Sequence, residues 1–289
     1  MTAVAVLGPG GVGGLLAARL GQADHEVTLI GRHPDRATAA GLTLNAPGED
    51  PITTTPASRP YLTQPVDVLI VAVKATQLVD ATARVPAALL AGATVVPFLN
   101  GVDHVPYLRA VYPGDTVAAT IVVEATKLAD GTIEQVFPFA RVTVATPPGS
   151  PAAAAAAKLF DVPGLQVATG PGEAQVLWQK LTFLATYALL TTAAGQPIGP
   201  AREQFAEWIS PLIREACAAA EVQGARIDPA AVEAQLRGLP GEGRSSMLKD
   251  RLAGHELELD AIAGPTLRTL GPSEAPVTLR AVQTILGAG

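Results

Sequence analysis

Short runs of apolar residues alternate with stretches of helical spacing through the N-terminal part of the chain. The runs are continuously apolar, which favours strands that are covered on both faces of a sheet. Strands that alternate with helices indicate parallel βαβ units. The predicted strands are 3–8, 26–32, 66–74, 93–101 and 116–124, and a predicted helix covers 13–22.

Two later segments depart from this rhythm. Residues 128–146 favour strands on both sides of the turn signal Asp130-Gly131, so a hairpin-like pair is predicted there. A proline- and glycine-rich boundary region follows at 161–172, and helical spacing dominates beyond it. The pattern therefore predicts an α/β protein, with a parallel-sheet domain over 1–168 and an all-helical domain over 169–289. The predicted helices beyond the boundary are 173–194, 201–224, 229–237, 244–263 and 273–287.

Composition and charge exclude several classes of protein. The 289 residues are 48% hydrophobic, which is enough for a large buried core. A net charge of −6, without a cluster of Lys and Arg, argues against a nucleic-acid binder. The single Cys217 and four scattered histidines predict neither a disulfide framework nor a metal site. No run has the length of a membrane span or the form of a signal peptide, so a soluble, cytoplasmic protein is expected.

A glycine motif lies between the first predicted strand and the first predicted helix. It comprises Gly8, Pro9, Gly10, Gly11, Val12 and Gly13, and it matches the G-x-G-x-x-G pattern of Rossmann-type dinucleotide-binding domains. Gly8 allows the tight turn, Gly10 lets the backbone approach a pyrophosphate, and Gly13 permits close contact between helix and strand. The helix N-terminus offers free N–H groups to the phosphates. The alternative is a glycine-rich turn without a ligand.

The end of the second predicted strand indicates which dinucleotide is bound. NAD-binding domains place Asp or Glu there to hold the ribose 2′-hydroxyl. This strand ends instead in Arg32, with Arg36 one turn further on. A guanidinium group matches the charge and geometry of a 2′-phosphate, so NADPH is favoured over NADH. A solvated loop arginine is the alternative interpretation.

Three polar residues end or interrupt apolar segments. Lys74 and Asn100 follow predicted strands, at the sheet edge where α/β domains bind their ligands. Lys180 interrupts "VLWQKLTFLATYALLTTAAG" (176–195), which has no other charge. A lysine there is either a snorkelling surface residue or a group placed for chemistry.

With these motifs in place, the chain resembles the ketopantoate reductase (2-dehydropantoate 2-reductase) family along essentially its whole length. The resemblance rests on "GPGGVGG" (8–14), "VAVKATQ" (71–77), "LNGV" (99–102), "LWQKL" (177–181), "SSMLKD" (245–250) and "ELELDAIAG" (256–264). It implies a Rossmann-type domain, a helical domain and NADPH bound in a cleft between them. The implied reaction reduces a 2-keto acid to a 2-hydroxy acid, and ketopantoate to pantoate would be a step of pantothenate biosynthesis.

The resemblance also implies roles for particular residues. Lys180 matches the family's catalytic lysine, which protonates the carbonyl oxygen as hydride arrives, and Glu258 matches the acidic residue that holds the substrate hydroxyl. Ser246 matches a substrate-binding serine. Asn100 and Lys74 match residues around the nicotinamide ribose and the substrate. Glu258 could instead belong to a solvated helix face, and Ser246 or its neighbour Ser245 could only cap a helix.

The chain departs from the family pattern on the lysine helix and in "PGEGR" (240–244), the segment before "SSMLKD", which also lacks the usual asparagine. Members that act on ketopantoate usually carry a substrate-facing asparagine four residues past the lysine, whereas this chain has Leu184 there and Ala188 one turn later. A buried hydrogen-bond partner contributes roughly 1–3 kcal/mol, so its loss alters specificity. A more apolar pocket is therefore expected.

Three functions stay open on the sequence. The first is an NADPH-dependent 2-keto acid reductase with ketopantoate as default substrate. The second is the same chemistry on a less polar carbonyl compound. The third is an NADPH-binding sensor without catalysis, which would not need both Lys180 and Glu258. A homodimer is possible through apolar helices such as "LIREACAAAEV" (212–222), although burial in the core explains such helices more often.

Overall fold

The computed structural model describes residues 1–32 and 41–287. Contacts divide these residues into two compact units. The first contains the described residues up to Leu99 together with His104–Val176. The second contains Asn100–Asp103 and the described residues from Leu177 onward. Arg36 lies outside the described residues.

A six-stranded sheet forms the centre of the first unit. Its strands are β1 (Ala3–Leu7), β2 (Glu26–Ile30), β5 (Ala57–Arg59), β6 (Val68–Val71), β7 (Thr94–Pro97) and β8 (Asp115–Thr116). They lie in the order β5-β2-β1-β6-β7-β8 and all pair in parallel. This arrangement confirms the predicted Rossmann-type parallel sheet.

Burial of both sheet faces explains the continuous apolar runs. In β1, Val4 and Val6 contribute to one hydrophobic cluster, whereas Ala5 and Leu7 contribute to another. Alternate side chains of a strand point to opposite faces, so a strand covered on both sides needs apolar residues at every position.

Two smaller sheets contain the other strands among the described residues of this unit. One has the order β10-β11-β3-β4 and the other the order β13-β12-β9. Their strands are β3 (Leu42–Asn45), β4 (Ile52–Thr54), β9 (Ala119–Val122), β10 (Ala125–Lys127), β11 (Ile133–Gln135), β12 (Arg141–Ala145) and β13 (Gln166–Gly170). Within the described part of the unit, the helices are α1 (Gly11–Gln22), α2 (Leu78–Thr82), α3 (His104–Val111) and α4 (Pro151–Leu159).

Helices alone form the second unit within the part of the chain that the structure describes. They are α5 (Glu173–Ala194, whose first four residues belong to the first unit), α6 (Ile198–Gln204), α7 (Ala206–Val222), α8 (Pro229–Arg237), α9 (Ser246–Leu252), α10 (Leu259–Leu270) and α11 (Pro276–Gly287). The predicted limits of α5 and α8 are confirmed. The apolar residues of α7, among them Leu212, Ile213 and Ala216, are buried within the chain. Among the described residues, no helix is both long and apolar enough to span a membrane.

Several predicted elements are divided in the structure. The single helix predicted over 244–263 is wrong, because α9 ends at Leu252 and Gly254 turns the chain with a φ of +68°. The helix predicted over 201–224 is broken at Phe205, between α6 and α7. The strand predicted over 116–124 contributes β8 to the central sheet and β9 to another.

The predicted hairpin forms at its turn but is shorter than expected. Lys127 pairs with Ile133 in antiparallel β10 and β11, and the Asp130 carboxylate accepts a bond from the Thr132 N–H at 2.9 Å. The last part of the predicted segment is β12, which pairs with β9 and β13 instead. Local turn chemistry thus located the hairpin, whereas longer-range pairing decided where its second strand ends.

Candidate active site

The glycine loop between β1 and α1 is shaped by close backbone contacts. Gly8 has a φ of +92°, and a Cβ there would lie 2.5 Å from Val73 Cγ1 and 2.8 Å from Val73 N. A Cβ on Gly13 would lie 2.3 Å from the Gly8 carbonyl oxygen. All three distances are shorter than real Cβ contacts allow, so these two positions require glycine.

The N-terminus of α1 is open to a ligand. Gly10 is exposed, and a Cβ built on it would meet nothing within 4 Å. No side chain caps this helix and no acidic residue lies in its first turn. The first helical bond runs from Gly14 N–H to the Gly10 carbonyl, so the preceding N–H groups have no partner within the helix. The N–H groups of Gly11, Val12 and Gly13, which have no partner within the helix, fit the pyrophosphate of a dinucleotide.

The structure explains why residue 11 is a glycine, which the motif alone did not. A Cβ on Gly11 would lie 2.1 Å from the Ala125 carbonyl oxygen. Strand β10 therefore packs directly against the loop. From the same strand, the Lys127 ammonium donates to the Pro9 carbonyl at 3.1 Å.

Arg32 and Lys74 lie at the same sheet edge as the glycine loop. β1 is flanked by β2 and β6 in parallel, so the segments that follow these three strands emerge together. Arg32 follows β2 and is exposed. Lys74 follows β6, is partly buried, and precedes a short 3-10 helix over Ala75–Gln77.

In the helical unit, the amide of Asn100 bridges Lys180 and Glu258. The Lys180 ammonium donates to Asn100 Oδ1 at 3.1 Å, and Asn100 Nδ2 donates to Glu258 Oε2 at 3.0 Å. Glu258 is buried, with a relative exposure of 6%. An amide can satisfy a cation and an anion at once because its oxygen accepts and its nitrogen donates.

Burial lowers the pKa of Lys180 from its usual 10.5 to about 8, and the Glu258 carboxylate opposes this shift. A cation loses hydration when it is surrounded by protein, which favours the neutral amine. The result is an ammonium that holds its proton near neutral pH and releases it more readily than a surface lysine does.

A second set of contacts fixes the segment that carries Asn100. Gly101 has a φ of +85°, and a Cβ there would lie 2.6 Å from the Ala261 carbonyl oxygen in α10. Arg268, also in α10, bonds Asp103 at one end of its guanidinium group and Asp260 at 2.6 Å at the other. These contacts explain why Asn100–Asp103 groups with the helical unit although it follows β7 in the sequence.

Glu258, which the single predicted helix had placed mid-helix, precedes α10 as its N-cap residue. The break after α9 therefore gives Glu258 its position next to Asn100. The prediction missed this break because Gly254 was not recognised as a helix end.

The two serines at the start of α9 have different environments. Ser245 caps the helix: its hydroxyl accepts a bond from Leu248 N–H at 3.1 Å and pairs with the Thr191 hydroxyl at 2.7 Å. Ser246, the predicted substrate-binding serine, is the first residue of α9 and is exposed. Capping is thus done by Ser245, which leaves the Ser246 side chain available.

An apolar helix face continues from Lys180. Leu184 is one turn further along α5 and is partly buried. On the same side, the rings of Phe183 and Tyr187 stack with centroids 5.9 Å apart. Ala188, by contrast, is buried at 1% exposure and does not reach an open surface. Within the described ranges, no group of three His, Cys, Asp or Glu side chains could hold a metal ion.

Known families and proteins match almost the whole chain. The family model described as Ketopantoate reductase PanE/ApbA matches residues 4–149, and the model of its C-terminal part matches 174–286. The chain is 34% identical to a 2-dehydropantoate 2-reductase of Caulobacter vibrioides, over 93% of this chain and 92% of that protein. It is 32% identical to a 2-dehydropantoate 2-reductase of Mycobacterium tuberculosis, over 92% and 90%.

Solved structures share the fold at lower identity. A PanE/ApbA family ketopantoate reductase from Ralstonia eutropha superposes with a TM-score of 0.85 at 23% identity, covering 98% of both chains. The match extends over both units, and the sequence identity at this level supports the fold alone.

Proposed function

We propose that this chain, which belongs to the ketopantoate reductase family, reduces a 2-keto acid to a 2-hydroxy acid with Lys180 as the general acid. The chain is an NADP-dependent oxidoreductase and its cofactor is NADPH. Ketopantoate is the default substrate, because the curated relatives in Caulobacter vibrioides and Mycobacterium tuberculosis carry the name 2-dehydropantoate 2-reductase. The bridge from Lys180 through Asn100 to Glu258 is the observation that supports the proposed mechanism.

The cofactor is held in this proposal by residues of the first unit together with Asn100 of the second. The free N–H groups at the start of α1 bind the pyrophosphate, Arg32 binds the 2′-phosphate, and Lys74 and Asn100 contribute near the nicotinamide ribose. When bound, NADPH supplies a hydride to the carbonyl carbon of the substrate.

Lys180 supplies the proton. As the carbonyl carbon receives hydride, its oxygen gains negative charge, and the Lys180 ammonium stabilises that charge and transfers a proton to it. A pKa of about 8 suits the task, because the group is mostly protonated at neutral pH and still a competent donor.

Glu258 and Asn100 keep Lys180 charged and oriented. The carboxylate of Glu258 favours the ammonium form, and the Asn100 oxygen holds its direction. Glu258 also accepts a hydrogen bond from a substrate hydroxyl in the proposal, and Ser246 binds the substrate from the start of α9.

The apolar face of α5 favours a second candidate, the same reaction on a less polar substrate. Leu184 offers no hydrogen bond one turn from Lys180, and the stacked Phe183 and Tyr187 rings add apolar surface beside it. A 2-keto acid with an aliphatic or aromatic side chain suits such a face better than one with a hydroxyl group.

The substrate test uses Leu184→Asn. We expect this variant to shift the ratio of kcat/KM for ketopantoate over ketoisocaproate, whose side chain is aliphatic, by about tenfold toward ketopantoate, because an amide gains a hydrogen bond to the polar substrate. Leu252→Asn, at an exposed position of α9, serves as the matched control and leaves the ratio unchanged.

Steady-state NADPH oxidation with the two keto acids gives the ratio. If the unaltered enzyme turns over ketopantoate at ordinary rates, on the order of 1–10³ s⁻¹, and strongly prefers it, the less polar substrate class is rejected. A ratio that does not respond to Leu184→Asn removes Leu184 from substrate recognition. An NADPH sensor without catalysis would turn over neither keto acid.

A further inference from the structure

Strand β10 lies directly against the glycine loop, at two separate points. The Ala125 carbonyl occupies the space that a side chain on Gly11 would need, and the Lys127 ammonium donates to the Pro9 carbonyl at 3.1 Å. The glycine motif does not predict this contact, because β10 comes more than a hundred residues later in the sequence. The loop and the lysine are therefore neighbours only through the fold.

The charge of Lys127 has no counter-charge in the part of the chain that the structure describes. The side chain is half-buried, and no carboxylate among residues 1–32 and 41–287 pairs with it. Burial alone lowers its pKa. The adjoining first turn of α1 also contains no acidic residue. A half-buried cation beside an uncapped helix N-terminus makes an electropositive spot that an anion would stabilise.

We propose that Lys127 is a cofactor-binding residue that pairs with the pyrophosphate of NADPH. The inference rests on the proposed function in one respect only, namely that a dinucleotide binds at the glycine loop. An ammonium group has three donors. One is used on Pro9 and holds the group beside the loop, so two are left for phosphate oxygens.

The position of Lys127 distinguishes its role from that of Arg32. Lys127 is tied to the glycine loop, whose N–H groups face the pyrophosphate, a part that NADPH and NADH share. Arg32 follows β2, where a Rossmann-type domain reads the 2′ position of the adenine ribose, the part in which the two dinucleotides differ. Removing the charge of Lys127 should therefore weaken the binding of both dinucleotides, whereas removing the charge of Arg32 should weaken the binding of NADPH alone.

The experiment measures dissociation constants of NADPH and NADH by fluorescence titration of the full chain. Lys127→Met keeps the aliphatic stem and removes the charge, and we expect it to weaken both dinucleotides by the same factor of about 10–100, the size of a lost charge-assisted hydrogen bond. Lys127→Arg recovers most of the affinity. Arg32→Ala weakens NADPH but leaves NADH unchanged. Lys158→Met, an exposed lysine of α4 in the same unit, is the control and changes neither constant.

Three outcomes would overturn the proposal. Unaltered affinity in Lys127→Met shows that the lysine does not touch the cofactor. Lost affinity for NADPH alone assigns Lys127 to the 2′-phosphate. Lost affinity that Lys127→Arg does not restore, accompanied by a lower Tm of the ligand-free protein, shows that the lysine only supports the loop. Failure of the unaltered chain to bind either dinucleotide would instead reject the proposed function, and this inference with it.

Discussion

Replacing Lys180 with alanine is expected to lower kcat by about 10²–10⁴-fold, the usual contribution of a positioned general acid. The ammonium is the proton donor of the proposed reaction, and its bond to the partly buried Asn100 connects it to the buried Glu258. NADPH affinity should be retained, since the glycine loop that binds the pyrophosphate belongs to the other unit. Steady-state NADPH oxidation and fluorescence titration measure the two quantities separately.

The control for this variant is Lys158→Ala, which removes an exposed lysine and should leave kcat unchanged. If cofactor affinity is retained and reduction is lost, the result supports the two reductase hypotheses and argues against an NADPH sensor. An unchanged kcat in Lys180→Ala would remove this lysine from the mechanism.

The pKa of Lys180 also sets the pH dependence of the unaltered enzyme. Burial lowers this pKa to about 8, and the acid must be protonated to act. Activity should therefore be full below this pKa and fall as pH rises through it, with a limiting slope of about tenfold per pH unit in kcat/KM. A pH profile without a falling limb in this range would contradict the assignment.

Replacing Asn100 with leucine is expected to lower kcat/KM by about 10–10³-fold, because two charge-assisted hydrogen bonds are lost together. Lys180 and Glu258 would each lose a partner in a partly or fully buried setting.

Asn100→Asp tests the same bridge in another way. A carboxylate beside the ammonium raises the pKa of Lys180, so the falling limb of the pH profile should move to higher pH.

Asn45 offers a matched control, since it is the chain's other asparagine and its amide also donates to a glutamate, Glu134. Asn45→Leu removes a comparable bond in the first unit and should leave the pH profile unchanged. If the falling limb of the pH profile lies at the same pH in Asn100→Asp as in the unaltered enzyme, Asn100 does not act through Lys180.

The elements that the sequence predicted well have causes within a short segment. The 22 residues of α5 form an apolar helix whose limits follow from spacing alone. The positive φ of Gly8 and the close approach at Gly13 follow from a turn of a few residues. Burial of β1 on both faces could be predicted from its continuous apolar run, because a strand covered on both sides needs an apolar residue at every position.

The predictions that failed have two causes: an unrecognised helix end at Gly254, and strand pairing with partners elsewhere in the chain. The stretch 244–263 has helical spacing throughout, yet it folds as α9 and α10 with a turn at Gly254. The stretch 116–124 is uniformly suited to strands, yet pairing divides it between two sheets. Local propensity does not specify which neighbour a segment will pack against.

The sequence by itself determined the parallel-sheet domain with its glycine loop, the all-helical second part and the family. It also singled out Lys74, Asn100 and Lys180 as polar residues that end or interrupt apolar segments, and the family resemblance added Glu258. Only the tertiary structure decided that the Asn100 amide joins Lys180 and Glu258, across 80 and 158 residues of chain, and that Lys127 lies at the glycine loop. The physical reason is that a hydrogen bond depends on distances of about 3 Å, and for residues far apart in sequence only packing of the whole fold sets those distances.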